Sequence, residues 1–292
     1  MMLLSNETMA WHTSFRVGGA ADHYARVTDM NQLAQAIFFA ADRGLPIFVL
    51  GGGSNILVSD NGIRGLVIEN RIQDVKVDCQ GRMRASSGAP LASLARLAGR
   101  RGLSGLEWAA GIPGTLGGAI VANAGAFGKG IADALAWVGV LSPECTEVIL
   151  CGSELGFDYR TSSFKSNGHK REQTIILEAE LTLRPEARET VEASFKEFIR
   201  RRRQTQPVGP CAGSIFKNPP GDYAGRLIEA AGLKGHRIGD AQISPKHANF
   251  VVNLGDARAA DVASLIEIAR TRVVDQFGIR LDLEIEMVGE WV

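Results

Sequence analysis

The sequence predicts an α+β protein of two or three compact units. Three observations carry that prediction. The 292 residues exceed one ordinary small core. Short β-rich runs are interspersed with amphipathic helical stretches. The 34 glycines, above the usual roughly 7%, mark many special backbone positions.

The elements follow in order. Ala21–Val27 reads as a strand, and Thr28 as the N-cap of a helix with Leu33, Ile37 and Ala40 on one face, ended by Gly44. Pro46–Leu50 is a short buried-type strand feeding Gly51-Gly52-Gly53-Ser54-Asn55, after which Ile56–Val58 and Gly65–Ile68 resume β character. The runs Val75–Val77, Met83–Ser86, Ala136–Leu141, Glu147–Cys151 and Thr174–Leu183 surround a helix over Leu91–Arg100 and a second glycine-rich stretch, Gly111–Gly128. Glu186–Arg203 reads as a charged helix broken by Pro207-Val208-Gly209-Pro210, which puts a domain boundary between Arg184 and Pro210. Beyond it come a helix over Tyr223–Ala231, a strand over Asn249–Leu254, a long helix over Arg258–Phe277 stopped by Gly278, and a strand over Leu281–Val288.

The 32 basic and 32 acidic residues cancel, so no global field favours nucleic acid or an anionic membrane. Four arginines, Arg200–Arg203, complement a helix dipole without the aromatic interleaving of a nucleic-acid surface. Cys79, Cys145, Cys151 and Cys211 lack metal-site spacing, so free thiols in a reducing cytoplasm, and no metal, are expected. No export signal or membrane span is expected either.

Gly51–Asn55 follows an apolar strand, and consecutive glycines let successive N–H groups converge on an anionic oxygen. No Rossmann or P-loop spacing accompanies it; a phosphate nest of another fold and a tight hairpin turn are the competing readings. In the second stretch, Gly117-Gly118 inside a helix costs roughly 1 kcal/mol per glycine against alanine, so something must approach that backbone: a ligand or a crossing helix. Two such loops in one chain favour a dinucleotide-sized cofactor.

Seven motifs stand in series: Thr13–Gly19, Gly51–Asn55, Ile112-Pro113-Gly114 through Gly117-Gly118-Ala119, Asn123–Ala126, Tyr159–Phe164, Ala212–Pro219 and Ser244–Phe250. As an ordered set spanning nearly the whole chain they resemble the UDP-N-acetylenolpyruvoylglucosamine reductase family, flavoenzymes of bacterial peptidoglycan precursor synthesis. The resemblance implies a two-subdomain FAD-binding unit of the vanillyl-alcohol-oxidase type, residues 1–71 and 72–186, followed by an α+β substrate-binding domain, residues 187–292. It implies non-covalent FAD, since neither glycine loop contains a histidine, held by Gly51, Gly52, Gly53, Ser54, Asn55, Ile112, Pro113, Gly114, Gly117, Gly118, Ala119, Asn123, Gly125 and Ala126.

The resemblance further implies NADPH as hydride donor and UDP-N-acetylglucosamine enolpyruvate as substrate, with a monomer expected. Ser214 is then the proton donor, Arg160 the clamp on the substrate carboxylate, and Glu284 the site carboxylate. Glu284 is selected by its distance to Met287-Val288-Gly289, with Glu286 as the alternative register; many relatives carry a basic residue at Glu286 and a proline at Leu283. Lys217 and Asn218 resemble substrate contacts, while His247 is expected as a packed side chain. The short spacing from Tyr159-Arg160 to Ser214 implies the form without an extra substrate loop. Two rivals remain: a flavin-dependent alcohol or hydroxy-acid oxidase of the same fold, and a nucleotide-sugar binding protein without catalysis.

Overall fold

The computed structural model describes residues 1–165 and 174–291. The stretch on which the absence of an extra substrate loop is read includes 166–173, which lie outside the described residues. Strand β1 (Met2–Thr8) pairs antiparallel with β2 (Ala20–Val27). Helix α1 (Met30–Asp42) then crosses to β3 (Ile47–Leu50), β4 (Ile56–Val58) follows, and β5 (Ile63–Asn70) inserts between β2 and β3, parallel to both, in a sheet of order β1-β2-β5-β3. Helix α1 buries Leu33, Ala36 and Ala40 with Ala25, Leu66 and Ile68. Its N-cap is Asp29 rather than the expected Thr28: the Asp29 carboxylate accepts from Gln32 N–H at 2.8 Å, and an anion suits the positive helix end better than a hydroxyl. Strand β1 carries no readable alternation because it is a mostly exposed edge.

The second layer is an antiparallel sheet of β6 (Val75–Val77), β7 (Arg82–Ser86), β8 (Leu135–Leu141), β9 (Glu147–Cys151) and β10 (Ile175–Thr182), in the order β9-β8-β10-β7-β6. Helices α2 (Leu91–Arg100) and α3 (Leu116–Val121) share its core with Met83, Trp108, Val138 and Leu181. Helix α4 (Arg188–Thr205) starts two residues later than predicted, packs on α2 and lays Phe195 and Phe198 against this core.

The third unit comprises α5 (Ala224–Ala230), the meander β11 (Arg237–Ile238), β12 (Ala241–Ile243) and β13 (Val251–Asn253), and α6 (Ala259–Phe277). Val262, Leu265, Ile266, Ala269 and Val273 of α6 are buried, together with Phe15, Val17 and Leu57 from the amino-terminal region. Gly278, at φ +67°, ends the helix; Phe277 is 37% exposed, so the apolar stripe stops at Val273. The predicted terminal strand is regular only over β14 (Glu286–Val288), parallel to β4. Leu281, Leu283 and Ile285 do alternate into the third core. Their neighbours are the irregular residues 215–217, so the pairing there is a few isolated bonds instead of a ladder. All four cysteines are free.

Candidate active site

The two glycine loops touch. A Cβ on Gly51 would lie 2.4 Å from Thr115 Oγ1, one on Gly52 2.6 Å from Gly114 Cα, and one on Gly53 2.1 Å from the His12 carbonyl oxygen. These are distances real Cβ atoms do not tolerate, so the first loop is glycine because the second loop and the amino-terminal region press against it. Among the described residues, the N–H groups of Gly52, Gly53, Ser54 and Asn55 donate to no protein acceptor. Four successive unpaired amides form a nest for an anionic oxygen.

In the second loop, Thr115 caps α3 by accepting from Gly118 N–H at 3.4 Å. The adjacent glycines divide the work. Gly117 is buried, donates its N–H to the Ser87 carbonyl at 2.8 Å, and a Cβ there would press on Ser87 at 3.0 Å. Gly118 is exposed; a Cβ there would meet only Thr115 Oγ1, at 3.6 Å. The expected close approach is thus packing at the first glycine and open space at the second.

That space belongs to a cavity of about 610 Å³ walled by both loops, Asn70, Ser87, Ile175 and Ile176, and by Arg160, Lys165, Arg202, Ser214, His247, Glu284 and Glu286. Its size suits a cofactor with part of a second ligand. Of the residues singled out from the sequence, all line it except Asn123, Lys217 and Asn218. Asn123 donates to the Asp158 carbonyl at 2.8 Å, tying the second loop to the turn that carries Arg160. The Asn218 side-chain oxygen accepts from Ala224 N–H at 3.1 Å, at the start of α5. Lys217 stays near enough to act electrostatically on Glu284 and Lys165.

Reciprocal backbone bonds between Asp158 and Thr161 close a turn over Tyr159-Arg160, and Arg160 sits in the left-handed region at φ +56°. A non-glycine residue held there costs about 1–3 kcal/mol. The guanidinium donates to the Gly125 carbonyl at 2.6 Å, and its Nε lies 2.8 Å from Glu284 Oε1. That Nε–H is buried and lacks hydrogen-bond alignment to any group among the described residues.

Glu284 is pinned through its backbone: its N–H donates to the Ile215 carbonyl at 2.8 Å, and its carbonyl accepts from Asn55 Nδ2 at 3.1 Å and Lys165 Nζ at 2.8 Å. Burial raises its carboxyl pKa, against the opposing pull of Arg160, Lys165 and Lys217. Burial likewise lowers the Lys165 ammonium, helped by Lys217, and raises Glu286, which lines the cavity yet keeps an exposed side. The Ser214 hydroxyl makes no hydrogen bond among the described residues and faces the cavity.

Sequence reasoning passed over two charged wall residues, Lys165 and Arg202. Lys165 directly follows the Tyr159–Phe164 motif, which was the available signal. In the arginine run, Arg200 and Arg201 pair with Glu197, as a solvated helix face would. Arg202 turns into the cavity, its pKa lowered by burial and by Arg160. His247 is packed as expected, yet also lines the cavity; burial first, then Lys234, lowers its pKa. Among the described residues no cluster could hold a metal ion, and no helix is long and apolar enough to cross a membrane.

Two family models match the chain: an FAD binding domain over residues 21–150 and the UDP-N-acetylenolpyruvoylglucosamine reductase C-terminal domain over residues 204–288. The chain is 45% identical over 285 residues to UDP-N-acetylenolpyruvoylglucosamine reductase 2 of Symbiobacterium thermophilum, covering 97% of this chain and 91% of that one. It is 46% identical over 292 residues to UDP-N-acetylenolpyruvoylglucosamine reductase of Moorella thermoacetica, at 99% and 94% coverage. The crystal structure of the Thermus caldophilus UDP-N-acetylenolpyruvylglucosamine reductase superposes with a TM-score of 0.82 at 38% identity, covering 98% of each chain.

Proposed function

The chain belongs to the UDP-N-acetylenolpyruvoylglucosamine reductase family, FAD-dependent oxidoreductases of peptidoglycan precursor synthesis, and on that premise we propose how its residues divide the reaction. The reaction is NADPH-dependent reduction of UDP-N-acetylglucosamine enolpyruvate to UDP-N-acetylmuramate, carried out in the cytoplasm by a monomer. Residues 1–71 and 72–186 hold FAD non-covalently, and residues 187–292 receive the sugar nucleotide. The unpaired amides of Gly52–Asn55 and the open face of Gly118 fit a diphosphate, with Ile112, Pro113, Gly114, Ala119, Gly125 and Ala126 completing the wall. FAD held there would supply hydride transfer between NADPH and the enolpyruvyl group.

The protein's own groups supply the rest. The Ser214 O–H gives the proton to the carbon beside the substrate carboxylate. The Arg160 guanidinium binds that carboxylate, where charge builds in the transition state. Glu284 balances Arg160 and orients it, while Arg202 and Lys217 supply positive charge for the sugar nucleotide's phosphates. Asn123 and Asn218 act on the ligands through the loops they tie down.

The observation that carries this reading is the meeting of Ser214, Arg160 and Glu284 in one cavity with both glycine loops. The test is an absorption spectrum of the purified protein before and after NADPH, and again after the sugar nucleotide. A yellow protein is expected, bleached by NADPH and recoloured anaerobically by the sugar nucleotide. A protein that takes up no flavin, or one that consumes oxygen with an alcohol and ignores NADPH, would refute it.

A further inference from the structure

We infer that Asn249 is a positioning residue that fixes Ser214 relative to Glu284, an inference that rests on the reading of Ser214 as proton donor. Asn249 is 3% exposed, and both ends of its amide are engaged. Its Oδ1 accepts from Phe216 N–H at 2.9 Å and its Nδ2 donates to the Phe216 carbonyl at 2.8 Å. Its main-chain carbonyl accepts from Ile215 N–H at 2.8 Å. These three bonds hold the two residues that directly follow Ser214.

The same short stretch also carries the acidic segment. The Ile215 carbonyl accepts from Glu284 N–H, and Lys217 N–H donates to the Asp282 carbonyl, each at 2.8 Å. Residues 215–217 therefore form a rail gripped by Asn249 and bearing Glu284, so serine and carboxylate take their positions from one reference.

On the other side of Ser214 the nearest anchors are Ala212, which is buried, and the Cys211 carbonyl, which accepts from Ser14 Oγ at 2.7 Å. Gly213 sits at φ +78°, and a Cβ there would have nothing within 4 Å. The Ser214 hydroxyl has no bond of its own among the described residues, so its placement depends on the downstream grip. Only an asparagine-type amide offers one acceptor and one donor side by side to match a peptide N–H and C=O; aspartate lacks the donor, and alanine leaves both Phe216 groups unpaired. Asn249 N–H also donates to His247 Nδ1 at 3.2 Å, linking this clasp to a second cavity wall.

The test uses the flavin-loaded Asn249→Ala and Asn249→Asp proteins, with the two half-reactions followed separately by stopped flow. Bleaching by NADPH needs no proton from Ser214 and is expected within about twofold of wild type. Recolouring by the sugar nucleotide is expected to slow about 100-fold in Asn249→Ala, the size of effect a misplacement of about 1 Å produces, and less in Asn249→Asp, which keeps the acceptor. In the flavin-free protein, amide exchange of the peptide containing Phe216 should quicken in Asn249→Ala, with β8 and β10 unchanged. Equal loss in both half-reactions, undiminished recolouring in a folded variant, or failure of both variants to retain flavin would overturn the inference. A wild-type protein that ignores the sugar nucleotide would instead overturn the functional reading and leave the exchange result standing.

Discussion

Replacing the two kinds of glycine in the cavity wall should give opposite signatures. At Gly52 a methyl would stand 2.6 Å from Gly114 Cα, about 1 Å inside ordinary contact, and its neighbour is backbone that cannot rotate away. Gly52→Ala should therefore destabilise the flavin-free protein by about 1–3 kcal/mol, the usual cost of overpacking. At Gly118 the methyl meets only Thr115 Oγ1, at 3.6 Å, and alanine gains up to about 1 kcal/mol of helix propensity. Gly118→Ala should fold at least as stably as wild type. Its methyl, however, occupies the cavity, and a cost of about 1–3 kcal/mol for displacing the cofactor weakens flavin binding roughly 5- to 150-fold. Thermal unfolding of both flavin-free variants, followed by flavin titration, reads the two effects apart. A destabilised Gly118→Ala, or one that binds flavin as tightly as wild type, would refute the assignment of that face to the cofactor.

Ser214→Ala should keep NADPH-driven bleaching and lose turnover of the sugar nucleotide; parallel loss of both would remove Ser214 from the role of proton donor. Arg160→Lys keeps a charge but cannot span both Gly125 and a carboxylate, so kcat should fall about 100-fold with flavin retained, and a fall below threefold in steady-state assays would contradict the clamp. Glu69 is fully buried, and hydrogen bonds from Arg71, Tyr24 and Arg26 outweigh the opposing effect of burial to hold its pKa at about 2 against 4.5. A depressed carboxyl pKa stabilises the fold above the unfolded value. Stability of about 3 kcal/mol is thus present above pH 4.5 and lost as pH falls towards 2. Urea unfolding of Glu69→Gln should show that loss already at neutral pH and a flatter acid limb; an unchanged acid limb would contradict it.

The long regular elements were readable because their apolar periodicity is their cause: the α6 stripe as far as Val273, the middle of β5 and nearly all of β10 lie where the pattern put them. Boundaries slipped where chemistry competed, as when Asp29 took the cap from Thr28. The glycine loops were readable as loops, but periodicity could not tell packing at Gly117 from open space at Gly118, because that depends on Ser87, thirty residues away. Arg202 and Asn249 were illegible for a related reason. One arginine of four turns inward only because α4 packs on the second core, and an asparagine in an apolar strand context gives no sign that it grips residues 215 and 216.

The pairing of β14 with β4 has a consequence for biosynthesis. Asn55 and Glu284, 229 positions apart, are bonded to each other. A nascent chain emerging from the ribosome thus exposes its first glycine turn long before the segment that braces it has been made. Loop-closure entropy rises only slowly with such separation, so the delay is set by translation rather than by energetics. The turn reaches its fully braced form only after synthesis ends, and ribosome-stalled chains ending before Glu284 should hold flavin more weakly than the full chain.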